Sequence, residues 1–122
     1  MSIVINKQGR FDNSEALDFI DIDSAIDVSQ LDDLFDASGV RIIFESCGDG
    51  RFLTLGRQLR LRGYAGHIRV VGSLLPDQFP MALKLGIDSV EITEAHGARC
   101  TEDQWIAQAA RTQGNYQTRL AG

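Results

Sequence analysis

The sequence predicts a single α/β domain with a mostly parallel sheet, and three observations lead to this prediction. The chain has 122 residues, an ordinary single-domain length that is sufficient to bury one core. Its composition, 43% hydrophobic and 24% charged, is near the globular average. Short apolar segments alternate about four times with segments of helical periodicity, which implies right-handed crossovers between parallel strands.

The N-terminal third is predicted to form a hairpin, a strand and a helix. Residues 1–13 contain NKQGRF, whose Gly9 suits a tight turn, so we expect a small hairpin at the sheet edge. The sequence ALDFIDID (residues 16–23) has an apolar pair flanked by acids, which favours a short strand. Residues 27–39 space their apolar side chains at helical intervals, which predicts an amphipathic helix that stops at Gly39.

The remaining elements alternate regularly. Strands are predicted at residues 40–46, 66–73 and 88–92, and helices at 51–62, 76–86 and 101–113. Residues 114–122 are expected to be a flexible tail. The pattern leaves two architectures open: an open sheet with helices on both faces, or a sheet curved like half of a (β/α)8 barrel.

Composition and motifs exclude several classes of protein. The net charge of −5 and the lack of a basic stripe argue against a nucleic-acid binder. No apolar run approaches the roughly 20 residues that span a bilayer, and no leader pattern opens the chain, so we expect a cytoplasmic protein that does not enter membranes. Cys47 and Cys100 lack CxxC spacing, which favours two free thiols and no metal site. No dinucleotide or Walker motif identifies a cofactor.

The candidate ligand site follows from the rule that parallel sheets bind ligands at the carboxyl ends of their strands. In CGDGRF, glycines precede the start of a helix, where unpaired amides and the forked cation of Arg51 suit a small anion. The alternative is that Asp49 only caps this helix and Arg51 is a surface residue. The predicted ligand-binding residues are Asp49, Gly50, Arg51, Gly72, Ser73, Asp77 and Gln78.

Two residues are weak catalytic candidates. Cys47 lies beside a helix start and Arg51, where a thiolate would be stabilised, although a small buried thiol is the commoner role. His96 is placed on a predicted loop with Glu94, a pattern compatible with acid or base chemistry or with a structural role.

Three arginines are the candidate interaction surface. Arg57, Arg60 and Arg62 do not form a single stripe at 100° per residue. We expect their stems to cover apolar surface and their charges to meet the acidic first helix of this or another subunit. Open edges and a bare sheet face make a homodimer the expected assembly.

FESCGDGRFLTLGRQLRLRGYAGHIRVVGSLLPDQ (residues 44–78) and LGIDSVEI (residues 85–92) resemble a bacterial family known as domain of unknown function 934. That family is labelled an oxidoreductase associated with sulfite reduction. Its pattern contains Asp-Gly-Arg, spaced arginines, a G-[FY]-x-G segment and L-x-D-Q. The matching positions are Asp49, Gly50, Arg51, Arg57, Arg60, Gly63, Tyr64, Gly66, Arg69, Gly72, Asp77 and Gln78.

The resemblance implies an accessory or anion-binding role in sulfite reduction, with a sulfite reductase component as a partner. Two alternatives stay open: a redox enzyme that uses Cys47 or His96, and a module that docks on a larger reductase through the arginine-bearing helix. The chain departs from the family pattern at Glu45, Cys47, Phe52, Leu53 and His67.

Overall fold

The computed structural model describes residues 2–12, 18–23, 26–44 and 50–121. Its sheet has five strands in the order β1-β5-β4-β3-β2. The strands are β1 (Ser2–Ile5), β2 (Phe19–Asp23), β3 (Gly39–Ile43), β4 (His67–Val71) and β5 (Ser89–Thr93). Strands β2 to β5 are parallel, and β1 pairs antiparallel with β5. The predicted α/β domain with a mostly parallel sheet is therefore confirmed.

The connections contain four α-helices and two 3₁₀ helices among the described residues. They are η1 (Val28–Leu34), α1 (Arg51–Leu61), η2 (Pro76–Gln78), α2 (Phe79–Lys84), α3 (Glu94–Arg99) and α4 (Glu102–Ala121). The prediction that the last helix ends at residue 113 is wrong, because helical backbone continues to Ala121. The predicted flexibility of residues 114–122 stays a prediction.

Two further local predictions are wrong for identifiable reasons. The segment expected to be an α-helix ending at Gly39 is the shorter 3₁₀ helix η1, and Gly39 begins β3. Leu31 and Leu34 share one side of either helix type, so their spacing did not distinguish the two. The segment expected to be a loop around His96 is α3, because the Thr93 hydroxyl caps it by accepting the His96 amide at 3.1 Å.

The strand order selects between the two predicted architectures. Each of β3, β4 and β5 lies beside the strand that precedes it in the chain. Right-handed crossovers that always step in one direction place all their helices on one face, as in half of a (β/α)8 barrel. The described helices accordingly contribute to one core, which includes Phe52, Leu59, Phe79 and Trp105.

The two faces of the sheet differ sharply in polarity because side chains alternate along each strand. The face toward the helices is apolar and buried, and carries Val40, Ile42, Ile68, Val70, Val90 and Ile92. The other face carries a polar row that crosses the sheet in register: Asp21, Arg41, Arg69 and Ser89. Its next row includes Glu91 and the exposed Ile43.

The N-terminal segment is joined to the rest of the domain at both its strand and its turn. The predicted turn is confirmed, with Gly9 at φ +85° and the Asn6 side chain accepting two backbone amides. A side chain at Gly9 would collide with the backbone of α4 at Trp105 and Ile106. The Phe11 amide donates to Glu102 at the start of α4. The hairpin is thus packed against the last helix.

Arg60 joins the end of α1 to the starts of two strands. Its guanidinium donates to the carbonyls of Tyr64, Gly66 and Gly86 at 2.8 to 2.9 Å. It also donates to Asp88 at 2.6 Å. Arg60 is therefore used within the fold, and its charge meets Asp88 and backbone carbonyls instead of the acidic first helix that was expected.

Asp88 extends the same cluster into β4 and the N-terminal turn. Its Oδ2 accepts the amide of Ile68, and its Oδ1 lies 2.9 Å from the Lys7 ammonium. One carboxylate thereby connects the loop before β5 with β4, α1 and the N-terminal turn. A charge-assisted cluster of this kind is strong because each donor has a satisfied partner.

The other two arginines of this helix differ in their surroundings. Arg62 donates to Asp32 of η1 at 2.9 Å, which confirms that an arginine meets the acidic first helix of the same subunit. Arg57 is exposed, and no acidic partner for it is found in the described part of the chain.

We expect Arg60→Ala to lower the free energy of unfolding by about 2–4 kcal/mol, since three carbonyls and one carboxylate lose a shared donor. Arg57→Ala is the matched control on the same helix and should change stability by less than about 0.5 kcal/mol. Urea unfolding of the two variants measures the difference. Equal stability of the two variants would contradict the structural role of Arg60.

Candidate functional site

An open pocket of about 110 Å³ lies at the carboxyl ends of β4 and β5. Its walls come from three strands and from the loop after β4. The lining residues are Ser2, Val71, Gly72, Ser73, Glu91, Ile92 and Thr93. The pocket is therefore at the end of the sheet where the parallel topology places ligands.

Two of the predicted ligand-binding residues, Gly72 and Ser73, line this pocket. Ser73 is exposed, so its hydroxyl is accessible to a ligand. Gly72 allows a close approach: a Cβ there would lie 2.7 Å from the Phe44 ring. A larger residue at position 72 would therefore displace the Phe44 ring, which is part of the core.

The start of α1 is connected to the pocket through that same ring. Phe44 stacks on Phe52 with ring centroids 3.9 Å apart, and Phe52 is the second residue of α1. Arg51, the first residue, is exposed. The contact series from Gly72 through Phe44 to Phe52 therefore links the first turn of α1 to the loop that carries Ser73, across two stacked rings.

The other predicted ligand-binding residues have different positions. Gln78 accepts the Leu75 amide through its side-chain oxygen at 3.0 Å, so it shapes the loop from within. Asp77 is exposed on η2 and, like Gln78, does not line the pocket. Gly50 is the exposed residue before α1. Asp49 and the catalytic candidate Cys47 lie outside the described residues, whereas Cys100 is a free thiol.

His96 is hydrogen-bonded to both of the segments that border the pocket. Its ring is buried, and Nε2 donates to the Leu74 carbonyl at 2.7 Å, which requires a proton on that nitrogen. Its backbone amide donates to the Thr93 hydroxyl. Leu74 follows Ser73, and Thr93 lines the opposite wall, so one histidine holds both sides of the opening. The geometry gives this catalytic candidate a positioning role.

Arg41 links Asp21 on β2 with Glu91 on β5 across the polar face. The guanidinium contacts Asp21 at 2.7 and 2.8 Å and Glu91 at 3.1 Å. The hydrogen bond from Arg41 holds the pKa of Asp21 below its usual range, and the same bond raises the pKa of Arg41. Arg69 is a second cation near Glu91, at 3.7 Å. The carboxylate in the pocket wall is therefore compensated by two arginines.

Five lining residues and the arginine behind them were not predicted from the sequence. Ser2 and Thr93 meet only because β1 pairs antiparallel with β5, in the register Ser2 to Thr93. Arg41 and Glu91 lie two strands apart, so no local spacing predicts their contact. A usable signal was present, however, since each is the one charged residue of its strand.

Two other kinds of site are absent from the described ranges. No cluster of three or more histidine, cysteine or acidic side chains there has the arrangement of a metal site. No helix there combines the length and the hydrophobicity that a membrane span requires.

Comparison with family models gave one match. The model described as "Bacterial protein of unknown function (DUF934)" matches residues 20–122, which is most of the chain. Neither curated proteins nor solved structures gave a match.

The Arg41 network should make stability depend on pH in a defined direction. The pKa of Asp21 is lower in the folded state than its ordinary value of 3.8. The ionised Asp21 therefore stabilises the fold fully above pH 3.8, and this stabilisation is lost as the pH falls through the folded-state pKa. Arg41→Gln should therefore destabilise the protein at neutral pH, by about 0.2–1 kcal/mol for the half-exposed Asp21 pair. The difference should shrink in acid, as measured by urea unfolding at several pH values. A difference that grew in acid would contradict this assignment.

We expect His96→Ala to cost about 1–3 kcal/mol, because the Leu74 carbonyl loses its donor next to the buried Trp105. His96→Gln keeps an N–H donor and should cost less. Thermal unfolding of both variants distinguishes the hydrogen bond from simple loss of volume. Equal destabilisation by the two would show that the hydrogen bond to Leu74 is unimportant.

Proposed function

The chain belongs to the DUF934 family of bacterial proteins of unknown function, and on that premise we propose that it binds a small oxyanion at the carboxyl ends of β4 and β5. The observation that carries the proposal is the pocket lined by Gly72 and Ser73, whose loop is linked to the first turn of α1 through the Phe44 and Phe52 rings. The role is that of an accessory binding protein, with sulfite or sulfate as the first ligands to consider because the sequence resembles a family labelled for sulfite reduction.

Hydrogen-bond donors on the pocket wall and at the start of α1 suit an oxyanion. The N-terminus of α1 is the positive end of an 11-residue helix, and Arg51 adds a forked cation there. Ser2, Ser73 and Thr93 supply hydroxyls on the pocket wall. The Thr93 oxygen already accepts the His96 amide, which leaves its proton to donate outward.

Size and charge are compatible with the same class of ligand. An ion such as sulfite occupies the space of a few water molecules, each about 30 Å³ in the liquid, and the pocket has a volume of about 110 Å³. Among the lining residues that the structure describes, Glu91 is the acidic one, and Arg41 and Arg69 offset its charge. The pocket wall therefore does not repel an anion as an uncompensated carboxylate would.

The proposal assigns binding and no bond-breaking step. His96 donates its Nε2 proton to a backbone carbonyl and is buried, which supports a positioning role in preference to acid or base chemistry. A thiol reaction at Cys47 stays a prediction, and a Cys47→Ser variant with unchanged redox activity would remove it. Docking on a larger reductase and a cytoplasmic location likewise stay predictions.

Thermal unfolding at low ionic strength, in sulfite, sulfate and phosphate, tests the proposal. An anion held at about 100 times its dissociation constant should add roughly 2.7 kcal/mol to the free energy of unfolding, a shift of several degrees for a domain of this size. Arg51→Ala should reduce the shift, and Ser73→Asp should abolish it by placing a negative charge at the opening.

Arg57→Ala is the matched control, because it removes the same charge from the same helix at a position away from the pocket. Its shift should equal that of the wild type. An anion shift lost equally in Arg51→Ala and Arg57→Ala would indicate nonspecific charge screening. The absence of a shift with all three anions would refute oxyanion binding.

A further inference from the structure

We propose that the surface formed by the end of α1 and by η1 binds a second copy of this chain through a two-fold axis. We call it the α1–η1 surface and define it by Asp33, Phe35, Asp36, Arg57 and Leu61. The proposal does not depend on oxyanion binding, since none of these five residues lines the pocket.

Two large apolar side chains on this surface face water. Leu61 is 66% exposed, more than any other large hydrophobic residue that the structure describes, and Phe35 is 38% exposed. Exposing large apolar groups to water is unfavourable in an isolated subunit. Their burial by a partner would recover that free energy.

Contacts between α1 and η1 bring the two side chains onto one surface. Arg62, the residue after Leu61, donates to Asp32 at 2.9 Å. The Phe35 ring packs on the Tyr64 ring with centroids 6.0 Å apart. Because residues three apart share one side of a 3₁₀ helix, Asp32 and Phe35 lie on the same ridge of η1. Leu61 and Phe35 therefore flank the junction of the two elements.

The polar groups on the two sides of this junction have opposite charge. Arg57 precedes Leu61 by four residues, so the two are neighbours along one ridge of α1. Asp33 and Asp36 are exposed on the η1 side. In the described part of the chain no salt bridge involves Arg57, Asp33 or Asp36.

This distribution identifies the partner as a second copy. An isologous interface places each patch against the rotated copy of the whole surface. Arg57 of each copy then faces Asp33 and Asp36 of the other, so the charge contact forms twice. The apolar residues lie at the centre and the charges around them. A partner of uniform charge would match only one half and be repelled by the other.

The first test is the molar mass in solution, measured by analytical ultracentrifugation over a range of concentrations. We expect a dimer that weakens with added salt, because exposed charges at the rim are screened. Leu61→Asp should shift the protein to monomer while circular dichroism shows an intact fold. Met81→Asp is the matched control, since Met81 is 53% exposed on α2, outside this surface, and it should remain dimeric.

Charge reversal provides a second test that does not depend on the apolar residues. Arg57→Asp should weaken the dimer, and so should the Asp33→Arg and Asp36→Arg pair. All three changes together should restore it, because the charges are exchanged across the axis. A wild type that is monomeric at every concentration, a dimer unaffected by Leu61→Asp, or a triple variant that stays monomeric would each overturn the proposal.

Discussion

The interaction between Arg60 and Asp88 is the constraint on which most of the domain depends. Arg60 is near the end of α1, yet its guanidinium binds the turn after that helix and the loop before β5. Asp88 in turn accepts an amide of β4. Since neighbouring parallel strands are connected only through long crossovers, a contact that fixes where β4 and β5 begin also fixes their register. The pocket at their far ends depends on that register, because it forms between Val71 and Glu91.

The singly wound strand order explains why the molecule has one apolar face and one polar face. Helices η1, α1, α2 and α4 share one core with Val40, Val70 and Val90 on one face, and the alternate positions of the same strands point away from that core. Those positions can therefore hold charged residues such as Arg41 and Glu91, which pair across the strands. The charge of the pocket wall is thus set by the same topology that forms the core.

The residues that carry the family resemblance divide into two groups by their surroundings. Three of them form hydrogen bonds within the fold. Arg60 donates to the Gly86 carbonyl, Tyr64 donates to the Ala37 carbonyl, and Gln78 accepts the Leu75 amide. Burial also raises the pKa of Tyr64, as expected for a phenol held inside the domain. Arg57 and Asp77, in contrast, are exposed. Much of the shared pattern therefore describes how the domain folds, and a smaller part is available for ligands or partners.

By itself, the sequence determined the alternation of strands and helices, the turn at Gly9 and the end of the sheet where Gly72 and Ser73 lie, because these follow from periodicity, glycine placement and the parallel connections. Only the tertiary structure decided that the sheet is singly wound, that Thr93 and Ser2 complete the pocket, and that His96 supports it from within. These features depend on contacts between residues far apart in the chain. Local spacing carries no record of such contacts, since they are set by strand order, register and the packing of one core.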